Sequence, residues 1–267
     1  MTRIPLMAGN WKMNKTAAEG AAMVKDLWGR IQSLSGVEAA VCPPMTALHA
    51  VAQALQGSKI ALGAQDIFWK EKGAYTGLIS PLMLKDIGCK YVIVGHSERR
   101  GRFGTADASM TPELMTVFGD NDTTVNRKAQ AALEHGLRPI ICVGETLEER
   151  QAGNTDKVIS DQLQKALQGL AADGDELVIA YEPVWAIGTG QVCDPTEADR
   201  VIAMMREVVK GCLGKETAEK MRLLYGGSVT PENAPAIMEQ NAIDGVLVGG
   251  ASLDAEKFAS IVSAANA

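Results

Sequence analysis

The run Leu177-Val178-Ile179-Ala180-Tyr181-Glu182-Pro183-Val184-Trp185-Ala186-Ile187-Gly188-Thr189-Gly190 decides how this chain reads. Its first five residues are apolar and partly β-branched, the composition of a buried strand. Glu182 then stands at the carboxyl end of that strand. Pro183 has no N–H to give a ladder, so a central strand stops before it. From Ala186 onward the tip is made of small residues, and Gly188 and Gly190 accept positive φ. A carboxylate on a rigid edge, followed by a loop with a stiff start and a flexible tip, suits a catalytic base beneath a lid. An ordinary strand-to-helix connection uses the same residue types, so the rest of the chain must decide.

Working outward, short apolar runs recur along the sequence. They predict strands at Ile4–Ala8, Val37–Val41, Ile60–Ala64, Tyr91–Val94, Pro139–Val143, Leu177–Tyr181, Arg222–Tyr225 and Gly245–Val248. Amphipathic stretches lie between them, among them Thr16–Leu34, Val125–His135, Thr155–Leu170, Thr196–Val209 and Asp254–Ala264. Strands alternating with helices predict a parallel sheet. Eight such units in roughly 250 residues predict closure into a (β/α)8 barrel, eight parallel strands ringed by helices. An open doubly wound sheet is the competing architecture, but no GxGxxG follows the first strand. The 267 residues, 46% of them hydrophobic, suffice for one core, and no linker or change of composition divides them. The expectation is a single domain, 1–267.

Local punctuation fits this pattern. Thr196 ahead of Glu197 and Asp199 suits a helix N-terminus. Thr230-Pro231-Glu232 reads as a cap followed by proline at the first helical position. Ser80-Pro81 reads the same way before Leu82–Ile87, with Gly88 as the C-cap. One interval is oversized: between Tyr91 and Pro139 lies a stretch bracketed by Phe103-Gly104 and Phe118-Gly119. It predicts a solvated loop insertion near 104–119, with a turn of helix at Thr111–Met115.

Charge and cysteine usage exclude several classes. The net charge of −6 and the absence of a Lys/Arg block argue against nucleic acid and anionic membrane as partners. The five cysteines, Cys42, Cys89, Cys142, Cys193 and Cys212, show no CxxC spacing and predict reduced thiols. Met1–Ala8 is too short for a signal peptide's apolar core and too early for a spanning helix. The expectation is a cytoplasmic protein.

In a barrel, the active site forms where the carboxyl ends of the strands meet. Polar and glycine-rich segments stand at five of those ends: Asn10-Trp11-Lys12, His96-Ser97-Glu98-Arg99-Arg100, Glu182, Gly226-Gly227-Ser228 and Gly249-Gly250. The two glycine pairs suit either tight turns or main-chain N–H groups brought close to an anion. A short helix starting near Gly250–Ala251 would add its positive end, and Gly188 another N–H. A phosphate group is the anion such a site holds. Lys12, just past a buried strand, reads as a fixed cation rather than a solvated amine. A Schiff-base role is the alternative. His96 precedes what resembles a helix start. An imidazole there is disfavoured from charging and donates a hydrogen bond to a carbonyl. His49 and His135, the other two histidines, sit in helical stretches as surface residues. No HExxH or CxxC is present, so no metal and no cofactor is expected.

With these residues assembled, the chain closely resembles the triose-phosphate isomerase family. The matching segments are Asn10-Trp11-Lys12-Met13-Asn14, Gly73-Ala74-Tyr75-Thr76-Gly77, Val94 to Arg100, Cys142-Val143-Gly144-Glu145, Tyr181 to Gly190, Tyr225-Gly226-Gly227-Ser228 and Val248-Gly249-Gly250. They span nearly the whole chain in the family's order. The resemblance implies interconversion of dihydroxyacetone phosphate and glyceraldehyde 3-phosphate through an enediolate, in glycolysis and gluconeogenesis. It implies Glu182 as proton acceptor, His96 as electrophile, and Asn10 and Lys12 as substrate ligands. Gly188, Ser228, Gly249 and Gly250 look like the phosphate grip, and Glu98 the lysine's partner. The combination of base, neutral imidazole and water-excluding loop is the family's established pattern and comes with the resemblance. A homodimer is implied too. Two other classes compete: a phosphate-binding barrel without catalysis, and a lyase or aldolase on the same scaffold. Three features depart from the family. Leu78 stands where a glutamate normally reaches across subunits to an arginine matching Arg99. Gln191-Val192-Cys193 replaces the commoner Lys-Thr-Ala at the lid's trailing hinge. The insertion around Thr105–Phe118 is not typical of the family.

Overall fold

A computed structural model describes residues 3–105, 107 and 109–266. Met1, Thr2, Ala106, Ala108 and Ala267 lie outside the described residues, so the expected insertion near 104–119 is described without two of its members. Eight parallel strands close on themselves in sequence order: β1 (Leu6–Asn10), β2 (Glu38–Cys42), β3 (Ala61–Ala64), β4 (Tyr91–Val94), β5 (Arg138–Val143), β6 (Val178–Tyr181), β7 (Arg222–Tyr225) and β8 (Gly245–Val248). Closure runs through β1 and β8, where Leu6 pairs with Gly245 and Gly9 with Val248. The open doubly wound sheet is thereby excluded.

Strand alternation sorts the side chains into two layers. Leu6, Ala8, Tyr91, Ile93, Val178 and Ala180 are among those that fill the barrel. Met7, Val92, Val94, Ile179 and Tyr181 face the helices, with Leu27, Leu163 and Ile202 from the surrounding ring in the same core. Both layers are needed: each strand is covered on two faces and is mostly apolar, with polar residues such as Asn10, Glu38, Arg138 and Arg222 only at strand ends, as a parallel sheet requires.

Four expectations are corrected. The first strand is Leu6–Asn10, not Ile4–Ala8. Ile4 is exposed, and Pro5 has no N–H to donate, so the ladder begins after it. The helix placed at Thr196–Val209 spans Pro195–Leu213 and is capped by Asp194, which accepts from the N–H groups of Thr196 and Glu197. Pro195 therefore takes the first helical position. Thr230 does not cap a helix beginning at Pro231. Thr230 and Asn233 bond each other's main-chain N–H across a turn, and the helix starts at Ala234. Ser80, Pro81 and Gly88 do punctuate the helix Pro81–Ile87, with Gly88 left-handed at φ 91°. His135 is half-buried rather than on the surface; its ring contacts the Ala131 carbonyl at 2.8 Å and Glu71 at 3.1 Å. Within the oversized interval a short helix forms at Pro112–Met115, with Thr111 as its N-cap.

Candidate active site

The carboxyl ends of the strands surround a cavity of about 440 Å3. Asn10, Lys12, His96, Glu182, Gly188, Ser228, Gly249 and Gly250 all line it. Glu98 stands at its edge, its Oε1 2.7 Å from Lys12 Nζ.

Alternation aims two of these side chains directly. In β6, Val178 and Ala180 point into the barrel, so Glu182 comes inward next. In β1, Leu6 and Ala8 point inward, so Asn10 does too. His96 needs a different device. Tyr91 and Ile93 face the barrel, and continued alternation would turn residue 95 inward and His96 out. Gly95 breaks the pattern with φ at 70°, and His96 enters the mouth instead. A Cβ on Gly95 would also lie 2.5 Å from Val125 Cγ2.

Close approach matters equally at Gly144, after β5. A Cβ there would fall 1.7 Å from the Glu182 carbonyl oxygen. Only glycine lets the β5 and β6 ends come together beside Glu182.

Glu182 is 1% exposed. Its Oε2 accepts the Ser97 N–H at 2.9 Å. Its Oε1 lies 3.0 Å from His96 Nε2 without the alignment of a hydrogen bond. Burial pushes the carboxyl up, while the His96 ring, the Ser97 N–H and Lys12 pull it down, and the balance lies below its ordinary value. His96 accepts the Glu98 N–H on Nδ1 at 3.2 Å. In the neutral ring that leaves the hydrogen on Nε2, facing the cavity. The histidine thus caps the 3-10 turn Ser97–Arg100 and lines the site at once.

Lys12 is held in an uncommon backbone conformation, φ 51°. Its N–H donates to Asn10 Oδ1 at 3.0 Å, and its carbonyl accepts from Gln65 Nε2 at 2.8 Å. A Cβ on Gly249 would stand 3.5 Å from Lys12 Cε, so the ammonium lies between Glu98 and the glycine turn after β8. That turn opens the 3-10 segment Gly250–Leu253.

Beyond Glu182 the chain makes a 3-10 turn, Val184–Ala186, then Gly188 and Gly190 at φ 70° and 78°. Its leading end is tied to Glu145, which is fully buried. Glu145 Oε1 accepts from Trp185 Nε1 at 2.8 Å and the Tyr181 hydroxyl at 3.1 Å, and its carbonyl accepts the Val184 N–H at 3.1 Å. The Arg150 guanidinium lies over the Trp185 ring at 4.4 Å.

Sequence reasoning passed over Gln65, the Ser97 N–H and the anchoring by Glu145. Gln65 and Glu145 follow β3 and β5, so the rule that selected the other rim residues would have found them. No group of three or more His, Cys, Asp or Glu side chains placed to hold a metal is present among the described residues.

A closed eight-stranded parallel barrel with a carboxylate, an imidazole and an ammonium at one mouth defines an acid–base enzyme of the (β/α)8 class. The family model described as triosephosphate isomerase matches residues 5–265. The chain belongs to the triosephosphate isomerase family. It is 51% identical over 264 residues to a triosephosphate isomerase of Symbiobacterium thermophilum, covering 98% of this chain and 97% of that protein. A triosephosphate isomerase of Carboxydothermus hydrogenoformans is 49% identical over 261 residues, covering 97% of this chain and 98% of that protein. The crystal structure of triosephosphate isomerase from Bartonella henselae superposes with a TM-score of 0.85 at 38% identity, covering 99% of this chain and all of that one.

Proposed function

We propose that this mouth carries the interconversion of dihydroxyacetone phosphate and D-glyceraldehyde 3-phosphate, as family membership entails. The protein is an aldose–ketose isomerase, an intramolecular oxidoreductase acting on a small triose phosphate. The observation that carries the residue roles is the convergence of Glu182, His96 and Lys12 on one cavity.

Glu182 removes a proton from the carbon beside the carbonyl. The electron pair moves onto the carbonyl oxygen and gives an enediolate. The hydrogen on His96 Nε2 and the Lys12 ammonium stabilise that oxygen as its charge grows. Glu182 returns the proton to the neighbouring carbon. Asn10 orients the substrate, and main-chain groups of Gly188, Ser228, Gly249 and Gly250 hold its phosphate. Glu98 positions Lys12. The 184–190 segment closes over the enediolate, which otherwise loses phosphate to water. The ion pair of Lys12 with Glu98 presents it as a cation and disfavours a Schiff-base lyase reading.

We read the chain as one domain with an insertion at 104–119, working as a homodimer in the cytoplasm. The dimer reading is supported by exposed Met13 and Leu78, which line a common groove beside Lys12. Arg99, lacking the family's glutamate, is paired within the chain to Asp66 at 3.0 Å. The free thiols suit a reducing compartment. Among the described residues no helix is long and apolar enough to cross a membrane.

The deciding experiment is an assay of the purified chain on glyceraldehyde 3-phosphate, with a dehydrogenase consuming dihydroxyacetone phosphate. Turnover is expected without added metal or cofactor. A chain that binds the substrate but never turns it over is a phosphate-binding barrel instead.

A further inference from the structure

The connection after β4 leaves and returns at nearly one point. A Cβ on Gly101 would stand 3.5 Å from Phe118 Cβ, and the Phe103 and Phe118 rings meet edge-on at 5.2 Å. This is the form of an Ω-loop, closed at its neck by its own side chains. The neck is tied down: the Arg102 N–H donates to the Ser97 carbonyl at 2.9 Å, and the Arg102 guanidinium is paired with Glu149. None of the chemistry above uses this excursion.

It nevertheless lies against the segment that covers the site. A Cβ on Gly104 would fall 2.4 Å from the Ile187 carbonyl oxygen, 2.5 Å from that of Val184 and 2.8 Å from Thr189 Cγ2. Two of these three are main-chain atoms, which no change of rotamer withdraws. Gly104 is not among the glycines with positive φ, so its own backbone does not demand glycine. The nearness of 184–189 does. The pressed segment is internally braced: the Ile187 N–H donates to the Val184 carbonyl at 3.1 Å, and Thr189 Oγ1 to the Trp185 carbonyl at 2.7 Å. Ile187 and Gly188 in turn line the cavity. A push at Gly104 is therefore carried to the cavity wall.

We propose that Gly104 is a positioning residue for the isomerisation: the bare main chain of the excursion is the rest against which the lid sits, and it sets how far Ile187 and Gly188 reach over the substrate. The inference rests on reading 184–190 as the lid. A side chain at 104 drives the lid off this rest. The enediolate then stands open to water: its hydroxyl gives up a proton to water and re-forms a carbonyl, the C=C bond shifts to the phosphate-bearing carbon, the C–O bond there breaks, and phosphate leaves with the electron pair.

The test uses the full chain with Gly104→Ala and Gly104→Val. Gly119→Ala is the control on the same excursion, because a Cβ there meets nothing within 4 Å. The readouts are kcat and KM on glyceraldehyde 3-phosphate, affinity for 2-phosphoglycolate, and inorganic phosphate released per isomerisation. Gly104→Val is expected to lower kcat about 10- to 100-fold, because a lid misplaced by about 1 Å loses catalysis on that scale. It is also expected to raise the phosphate released per turnover and weaken 2-phosphoglycolate, with Gly104→Ala intermediate and Gly119→Ala like the parent. Parental values of all three readouts in Gly104→Val overturn the proposal. If that variant does not fold, a chain with residues 103–117 removed and Arg102 joined to Phe118 answers the question. A raised phosphate release supports the rest, and a parental value overturns it. A parent chain without isomerase activity would fail the functional reading instead, so the two failures are distinguishable.

Discussion

Ser97 donates its main-chain N–H to Glu182 Oε2 at 2.9 Å, joining positions 85 residues apart. The carboxylate is thus held by a backbone group, and its second oxygen is left without a hydrogen bond beside the imidazole. In the proposed reaction one oxygen serves positioning and the other the proton transfer. That division depends on the length of the glutamate side chain.

Glu182→Asp withdraws the carboxylate by one methylene and leaves Lys12, Asn10 and the glycine turns untouched. Substrate binding is expected to persist, with KM within a few-fold of the parent. The turnover number is expected to fall about 10²–10³-fold, between the effect of a displacement of about 1 Å and that of losing a general base. Steady-state kinetics in both directions measure it. An unchanged kcat would remove Glu182 from the role of base.

Lys12→Met keeps an unbranched side chain as far as Cε and removes the cation 2.7 Å from Glu98. Charge-assisted contacts to phosphate and to the developing oxyanion are lost together, and Glu98 is left facing the cavity edge unpaired. Affinity for 2-phosphoglycolate is expected to fall at least about 10²-fold, since a hydrogen bond to a charged group contributes about 1.5–3 kcal/mol. Titration calorimetry reads this directly. Normal affinity would move the anion site away from Lys12.

The meeting of these residues at one cavity was legible in sequence to the extent that they are side chains at strand ends. Glu182, His96 and Lys12 stand out because a polar residue directly after a buried apolar run has few other reasons to be there. The bounds of β4, β7 and β8 were readable because a glycine, Gly95, Gly226 or Gly249, directly follows each apolar run. The N-terminus of β1 was not, because apolar Ile4 looks like strand while the missing N–H of Pro5 decides otherwise. The Ser97 contact was invisible: it uses an N–H that every non-proline residue carries. Gln65 and Glu145 were passed over because they hold other protein groups rather than substrate. The contact of Gly104 with Ile187 joins two loops whose sequences carry no sign of each other.

Met13 and Leu78 are 94% and 44% exposed along one groove. A second copy covering that groove would bury both. Leu78→Asp then places a carboxylate in the covered surface, where Arg99 is already paired with Asp66. An unpaired buried charge costing about 3 kcal/mol weakens association about 10²-fold. Sedimentation velocity is expected to show a dimeric parent and a variant that dissociates at micromolar concentration. A monomeric parent, or a variant as tightly associated as the parent, would place the subunit contact elsewhere.

Glu145 contributes a pH dependence of its own to this end of the barrel. It is fully buried, and burial raises its pKa above the ordinary value despite hydrogen bonds from Trp185 and Tyr181 and the nearby Arg150. A folded-state pKa above the unfolded one gives a contribution to stability that is complete below the unfolded value of about 4.3. That contribution is lost as pH rises through the folded value. Glu145→Gln keeps a carbonyl oxygen for Trp185 and cannot ionise. The parent is therefore expected to lose Tm relative to Glu145→Gln as pH climbs from about 4.3 through the raised pKa, and the difference levels off above it. Thermal unfolding of both proteins across that range checks the sign. Curves that stay parallel would mean that Glu145 ionises as easily in the fold as out of it, and that burial beneath Trp185 does not govern its charge.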